Sequence, residues 1–425
     1  MPARREIRSS RRFTISFSAE CSVFNPNRGN GSSAAISGAI DLIETEFSLS
    51  ALAKGFVTGA LMVGCLFGAL LGGRLSDRYG RKPMLMISAV LLAVSAAGSA
   101  FLSDSAVPLV IYRLIGGLGV GVLSAVIPTY ITEISPAELR GTFVSFYQLF
   151  VVVGILVAYC ANYFLADTAL NWHLMLGLPL VFAIVDILLL FTLPESPLWL
   201  AERGKTETKE EKVAFGELFK GRMGYVVFLG SMLAFFQQIT GINVVVNYAP
   251  GILANLGIAG SDPLLQTVYI GIANLVFTVI ALWLVDKFGR KTLLVCGCFG
   301  CTASLAYLTY AYSIADPSSV GVLAAILAYI GFFALSLSPL MFVVTSEMYP
   351  SRIRGTAMAF STGISWACAF LVVQFYPWME STLGTDVAFG IFAALCLAAG
   401  LFIWFLVPET KGKSLEAIET ELKLR

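Results

Sequence analysis

An all-helical fold that crosses a membrane many times is predicted by three observations. The 425 residues are 57% hydrophobic and 13% charged, with a mean hydropathy of +0.81. A soluble globular chain is about one-quarter charged. Eleven apolar runs of roughly 20 residues follow one another, the length at which a helix crosses about 30 Å of hydrocarbon. The second half of the chain also repeats charged motifs of the first, which predicts two related helical bundles. The net charge of +1 gives no sign of a nucleic-acid partner.

In chain order, residues 1–36 form a polar tail rich in Arg and Ser, expected to be disordered. No apolar stretch follows its charges, so it is not a signal peptide. Its composition also suits a transit peptide or the product of a misplaced start. Asn30-Gly31-Ser32 is a glycosylation sequon should this end be extracellular. Residues 37–193 are read as an N-terminal bundle with spans near 51–73, 83–102, 108–131, 142–165 and 174–193. A cytoplasmic loop, 194–222, leads to a C-terminal bundle, 223–407. Its spans lie near 223–247, 264–285, 292–313, 320–345, 356–378 and 387–407, and a cytoplasmic tail, 408–425, follows.

Orientation comes from the positive charges. The loops after residues 73, 131, 193, 285 and 345, with the tail, hold 20 of the 28 Lys and Arg, and the loops on the other side hold none. The first set is therefore cytoplasmic, which places residues 41–50 outside. An inside N-terminus then needs one more span. Only Ala34-Ala-Ile-Ser-Gly-Ala-Ile40 is apolar there, and it is too short, so a first helix is expected to be missing or degenerate.

The repeat is carried by three motifs. Asp77, Gly80, Arg81 and Lys82 match Asp286, Gly289, Arg290 and Lys291. Glu133 and Arg140 match Glu347 and Arg354, with Gly141 and Gly355 following. Pro194-Glu195 matches Pro408-Glu409. The last two motifs are offset by 214 residues and the first by 209. The positive-inside rule accounts for the Lys and Arg but not for the matched acids. Asp77, Arg81, Glu133, Arg140, Glu195, Asp286, Arg290, Glu347, Arg354 and Glu409 are therefore read as pairs at cytoplasmic helix ends that can break and re-form.

One span differs from the rest. Phe235–Tyr248 carries Gln237, Gln238, Asn243 and Asn247 inside an apolar run, with Gly241 and Pro250 loosening its helix. Buried amides are costly at membrane depth unless paired. They either join helices or line a polar cavity. Amides both donate and accept, which suits a neutral ligand with many hydroxyls.

Taken together, Gly73–Lys82, Pro128–Gly141, Pro194–Pro197, Gln237–Asn243, Asp286–Lys291 and Pro408–Gly412 resemble the sugar porter branch of the major facilitator superfamily. Within it they are most similar to bacterial xylose/proton symporters and facilitative glucose carriers. The resemblance implies a major facilitator fold of two pseudo-symmetric bundles. It also implies a sugar site made of Gln148, Gln237, Gln238, Asn243, Asn274 and Trp366, with Tyr248 and Phe342 beside it. Phe342 stands where relatives have Trp, and Ser365, Asn247 and Ser338 also depart from the pattern. In proton-coupled members an Asp of the first helix pairs with an arginine matched here by Arg113. That Asp is missing, and Asp41 or Glu44 is the substitute to test.

Other signals receive plainer readings. Gly116-Gly-Leu-Gly-Val-Gly121 lies mid-span with no strand before it, so close helix packing is expected. Cys296, Cys298 and Cys301 have metal-like spacing but no nearby His or acid, and are read as packing residues. His173, the only histidine, is expected at an interface. Asp186 is either a proton relay or a paired acid. No nucleophile or acid–base pair stands out, so no enzyme, cofactor or metal is expected. The sequence thus predicts a monosaccharide carrier, hexose or pentose, working by alternating access with protons as a candidate co-substrate. The alternatives are a polyol or inositol carrier, a non-transporting sugar sensor, or an inactive truncated product. It is expected to be a multi-pass monomer in the plasma membrane, with an organelle membrane as the alternative.

Overall fold

The computed structural model describes residues 30–135, 140–203, 218–219, 221–254, 262–314, 318–350 and 353–411. Among them are fifteen α-helices and no strand. The N-terminal half holds α1 (Asn30–Phe47), α2 (Ala51–Tyr79), α3 (Arg81–Phe101), α4 (Ala106–Ile134), α5 (Arg140–Leu165) and α6 (Asn171–Thr192). A short α7 (Pro197–Arg203) precedes the second half. That half holds α8 (Gly221–Ile239), α9 (Ile242–Ala254), α10 (Pro263–Lys287), α11 (Arg290–Ser313), α12 (Ser319–Leu335), α13 (Leu337–Met348), α14 (Arg354–Leu383) and α15 (Thr385–Leu406). Most of the N-terminal tail and of the interdomain loop, the end of the C-terminal tail, and the side chains of Arg140 and Asp286 lie outside the described residues.

Eleven of these spans are long and apolar enough to cross a membrane, as the sequence predicts. Local chemistry sets their starts. Ser50 accepts from the Ala53 amide at the head of α2, Asp262 accepts from Leu264 before Pro263 opens α10, and Ser318 accepts from Gly321 at the head of α12. Each cap satisfies one of the amides that a helix start leaves without a partner.

Two spans are each made of two helices. Gly241 takes φ +94°, a conformation glycine adopts without strain, and it separates α8 from α9. The break falls where the sequence shows Gly241 inside an apolar run. The second break, at Ser336 between α12 and α13, has no comparable signal beyond Pro339.

Among the described residues a first helix, α1, is present. α1 is 18 residues long, and Ala34, Ala35, Ile36, Ser37, Ala39, Ile40 and Ile43 are buried. It packs on α5, α6, α9 and α2. The expected boundary between tail and bundle at residue 36 therefore falls inside a packed helix. The reason is its face of Ala and Ile, which buries well although the run is too short and polar to stand among the eleven spans.

α2 and α4 meet backbone to backbone. A Cβ on Gly117 would fall on the Leu61 carbonyl, and one on Gly121 on that of Cys65. The glycine-rich run of α4 is thus a packing seam. Across the halves, α2 lies along α14, and α5 packs on α10.

Candidate functional site

The amides of the broken span converge. Gln238 is the hub. Its Nε2 donates to Ser365 Oγ on α14 at 2.8 Å and to Gln237 Oε1 at 3.2 Å, while its Oε1 accepts from Asn243 Nδ2. Gln237 Nε2 donates to the Leu337 carbonyl at 3.0 Å, at the start of α13, so the two helix breaks face each other. From the N-terminal half, Gln148 Nε2 on α5 reaches Ser338 Oγ at 3.2 Å. Asn247 donates to the Asn243 carbonyl at 2.7 Å, and its own Oδ1 is buried without a donor among the described residues.

The break itself is held open by chemistry. The Thr240 carbonyl would pair with Val244 in a continuous helix, but the Val244 amide turns to Gly241. The buried Tyr329 hydroxyl donates to the Thr240 carbonyl at 3.0 Å instead, and Cys396 Sγ lies 4.0 Å from it. Phe392 sits 2.9 Å from where a Gly241 Cβ would be, so a larger residue meets both strain and a ring. A carbonyl left bare at membrane depth costs free energy, and Tyr329 removes that cost.

Trp366 is half-buried on α14 and packs against the apolar cores of both halves. Asn274 is half-buried on α10 and makes no hydrogen bond within the described residues. Phe342 on α13 is exposed. Tyr248 differs from its expected place. It is buried, its ring lies 5.3 Å from that of Tyr376, and its hydroxyl donates to the Val373 carbonyl at 3.0 Å. That hydroxyl is already committed to the protein.

At the helix ends that the positive loops predict to be cytoplasmic, the repeat becomes geometry. Arg81 binds Glu133 through Nε at 3.0 Å and Nη2 at 2.7 Å, and Asp77 through Nη1 at 2.9 Å. Glu195 accepts from the amides of Arg81 and Lys82 at the start of α3. Glu409 accepts in the same way from Arg290 and Lys291 at the start of α11. A carboxylate at a helix start meets unpaired amides and the positive end of the helix dipole. Arg290 and Glu347 are 3.7 Å apart. Among the described residues, every ion pair of these clusters stays within its own half.

Arg113 is buried, and its Nε and Nη2 donate to the Val57 and Thr58 carbonyls of α2 at 2.8 and 2.9 Å. Neither candidate acid substitutes for the missing partner. Asp41 and Glu44 bind Lys54 instead, at 2.8 and 2.6 Å, because α1 presents them to the first turn of α2. Lys54 was not singled out in the sequence. Its signal is a lysine in the first turn of an apolar span, four residues after a serine cap.

The remaining candidates fall apart from the amides. Cys298 and Cys301 are buried while Cys296 is exposed, so the three thiols do not converge. His173 stacks on Trp172, whose Nε1 donates to Glu46 at 2.6 Å. Asp186 is buried on α6. A small cavity between α1, α5 and α6, lined by Ala35, Ala158, Met175 and Pro179, contains no polar side chain.

The outer side is where the halves touch closely. Gln374 on α14 donates to the Leu52 carbonyl on α2 at 2.9 Å, and a Cβ on Gly55 would fall on the Gln374 carbonyl. On α9, a Cβ at Gly251 would lie 3.6 Å from Asp41 of α1.

Comparison with known proteins shows the family and the fold. The family model described as sugar (and other) transporter matches residues 12–216 and 205–422. The chain is 37% identical over 448 residues to the D-xylose-proton symporter of Escherichia coli K12, covering 91% of each. It is 35% identical over 411 residues to a glucose facilitated diffusion protein of Zymomonas mobilis, covering 86% of this chain and 87% of the other. Its fold is similar to the inward-open conformation of the xylose transporter of E. coli. The TM-score is 0.82 at 33% identity, over 96% of this chain and 99% of that one.

Proposed function

This chain belongs to the sugar (and other) transporter family, and from that premise we propose that it carries a monosaccharide, hexose or pentose, by alternating access. The observation that carries the reading is the junction of the two helix breaks. There Gln237, Gln238 and Asn243 converge, with Gln148 entering from the other half. Each amide spends its bonds on a serine hydroxyl, a backbone carbonyl or another amide. Sugar hydroxyls can take over those bonds one for one, since each hydroxyl also donates and accepts. Asn274 and the buried Asn247 Oδ1 have capacity to spare. Trp366 offers an apolar face, and Phe342 a ring where relatives carry tryptophan.

The protein is an integral multi-pass membrane protein, expected to work as a monomer in the plasma membrane. It is a carrier rather than an enzyme on this reading. The cytoplasmic acid–arginine clusters act as helix-end locks whose partners change when the inside closes.

For coupling, proton symport is supported by the symporter among the relatives, with Arg113 as the group involved. Uniport is favoured by one observation. Arg113 rests on two carbonyls, and among the described residues no carboxylate pairs with it. Uptake into proteoliposomes with and without an inward proton gradient separates the two.

The site is tested by Gln238→Ala. Losing the hub leaves Asn243 and Ser365 without their partner and sugar hydroxyls without theirs, so uptake should fall at least about tenfold. Membrane insertion and melting temperature should stay near the parent's. Parent-like uptake would remove Gln238 from the site. A panel of hexoses, pentoses and cyclic polyols competing for uptake then distinguishes a sugar from a polyol carrier.

A further inference from the structure

Two prolines inside helices strand a carbonyl each, and a tyrosine answers each one. Proline has no N–H, so the residue four before it loses its helical donor. In α9, Pro250 strands the Val246 carbonyl. In α14, Pro377 strands the Val373 carbonyl. Tyr248 donates to Val373 at 3.0 Å, and Tyr159 donates to Val246 at 2.9 Å. The two bonds differ in reach. Tyr248 and Val373 both belong to the C-terminal half. Tyr159 stands on α5 in the N-terminal half, so its bond crosses between halves.

We infer that Tyr159 is a positioning residue that docks α9 against the N-terminal half and so holds the site closed on its outer side. α9 carries Asn243 in its first turn and is hinged at Gly241, so it can move separately from α8. It is held from across the interface in the middle, by Tyr159, and faces Asp41 of α1 at its outer end, at Gly251. Tyr159 is itself fully buried, with its ring against Gly271 of α10. Opening the outer side takes α9 away from α5. The Val246 carbonyl then has neither a helical donor nor Tyr159 until water reaches it. Pro250 thus makes the closed state depend on a hydroxyl from the other half.

The reading rests on alternating access, and its test does not need transport. A cysteine at position 251 reports on opening, because its Cβ fits at 3.6 Å from Asp41 at a half-buried position that the departure of α9 from α1 exposes further. Gly251→Cys is labelled from outside with a membrane-impermeant maleimide, and the same protein without the substitution gives the native-cysteine background. Tyr159→Phe, which removes only the hydroxyl, should raise the labelling rate about three- to tenfold, the worth of one hydrogen bond. Pro250→Ala restores the amide to α9 and should also raise it. With Pro250→Ala in place, Tyr159→Phe should add less than about twofold, since the carbonyl no longer depends on the hydroxyl. A merely structural tyrosine gives the same effect in both backgrounds, and that result overturns the inference, as does parent-like labelling of Tyr159→Phe. Should Tyr159→Phe fail to insert, parent-like labelling of Pro250→Ala overturns it equally. Shifted labelling in a chain that takes up no sugar would sink the carrier reading and leave this one standing. Unchanged labelling with normal uptake would do the reverse.

Discussion

The acid–arginine ends of the two halves are built from the same motif and finished differently. In the N-terminal half Arg81 is 7% exposed at its side chain and fully used, by Glu133, Asp77 and the Ser76 carbonyl. In the C-terminal half Arg290 stands 3.7 Å from Glu347, and Arg290 Nε, Glu347 Oε2 and Arg354 Nη2 are buried without partners among the described residues. The helix caps match, because Glu195 and Glu409 bind the same two amides in each half. The shared part stabilises a helix start. The part that differs has unspent hydrogen-bonding capacity in one half, as a cluster that exchanges partners needs. A repeated sequence sets which residues can meet, and helix packing sets whether they do.

The largest expected effect breaks this comparison directly. Arg81→Met leaves the half-buried Glu133 without its arginine, so it should lower stability by about 2 kcal/mol, while Arg290→Met should lower it by about 1 kcal/mol or less. Thermal unfolding in detergent reads both, and equal losses would end the distinction between a closed lock and a slack one. A smaller effect separates backbone from side chain. Gly80 takes φ +108° and Gly289 φ −56°, yet a Cβ at either would meet the capping carboxylate. Gly80→Ala should therefore cost about 1–2 kcal/mol more than Gly289→Ala, the difference being strain alone. Smallest of all should be the gap between Glu195→Gln and Glu409→Gln. Each removes a charge from a helix start worth about 0.3–1 kcal/mol. A much larger loss for Glu195→Gln would show that lock and cap act as one unit.

Much of this was legible in the sequence. Apolar runs and paired motifs are local signals, and they mark the eleven spans and acid–arginine partners such as Arg81 and Glu133. The amides of Phe235–Tyr248 stood out because polarity inside an apolar span is conspicuous. What stayed hidden depends on distant partners. Tyr159 is 87 residues from Val246. Tyr329 is 89 residues from Thr240. In sequence each is one more aromatic residue in an apolar helix. Tyr248 shows the converse, since its neighbours mark it for the site while its hydroxyl is taken by a carbonyl that Pro377 freed. Lys54 resembles an interfacial residue in sequence, a charge at a span's edge, and only α1 packed beside it supplies its acids.

The glycine seam between α2 and α4 has a mechanical consequence. Gly64 and Gly68 of α2 and Gly117 and Gly121 of α4 leave no side chains between the two backbones, so nothing in the seam can flex or slide. α2 is also the helix that lies along α14 of the other half. A displacement at that boundary is passed through the seam to α4 and with it to Arg113, while Glu133 lies beyond Pro128 of the same helix. The contact with α14 and the buried arginine of the first half must then turn through one common angle.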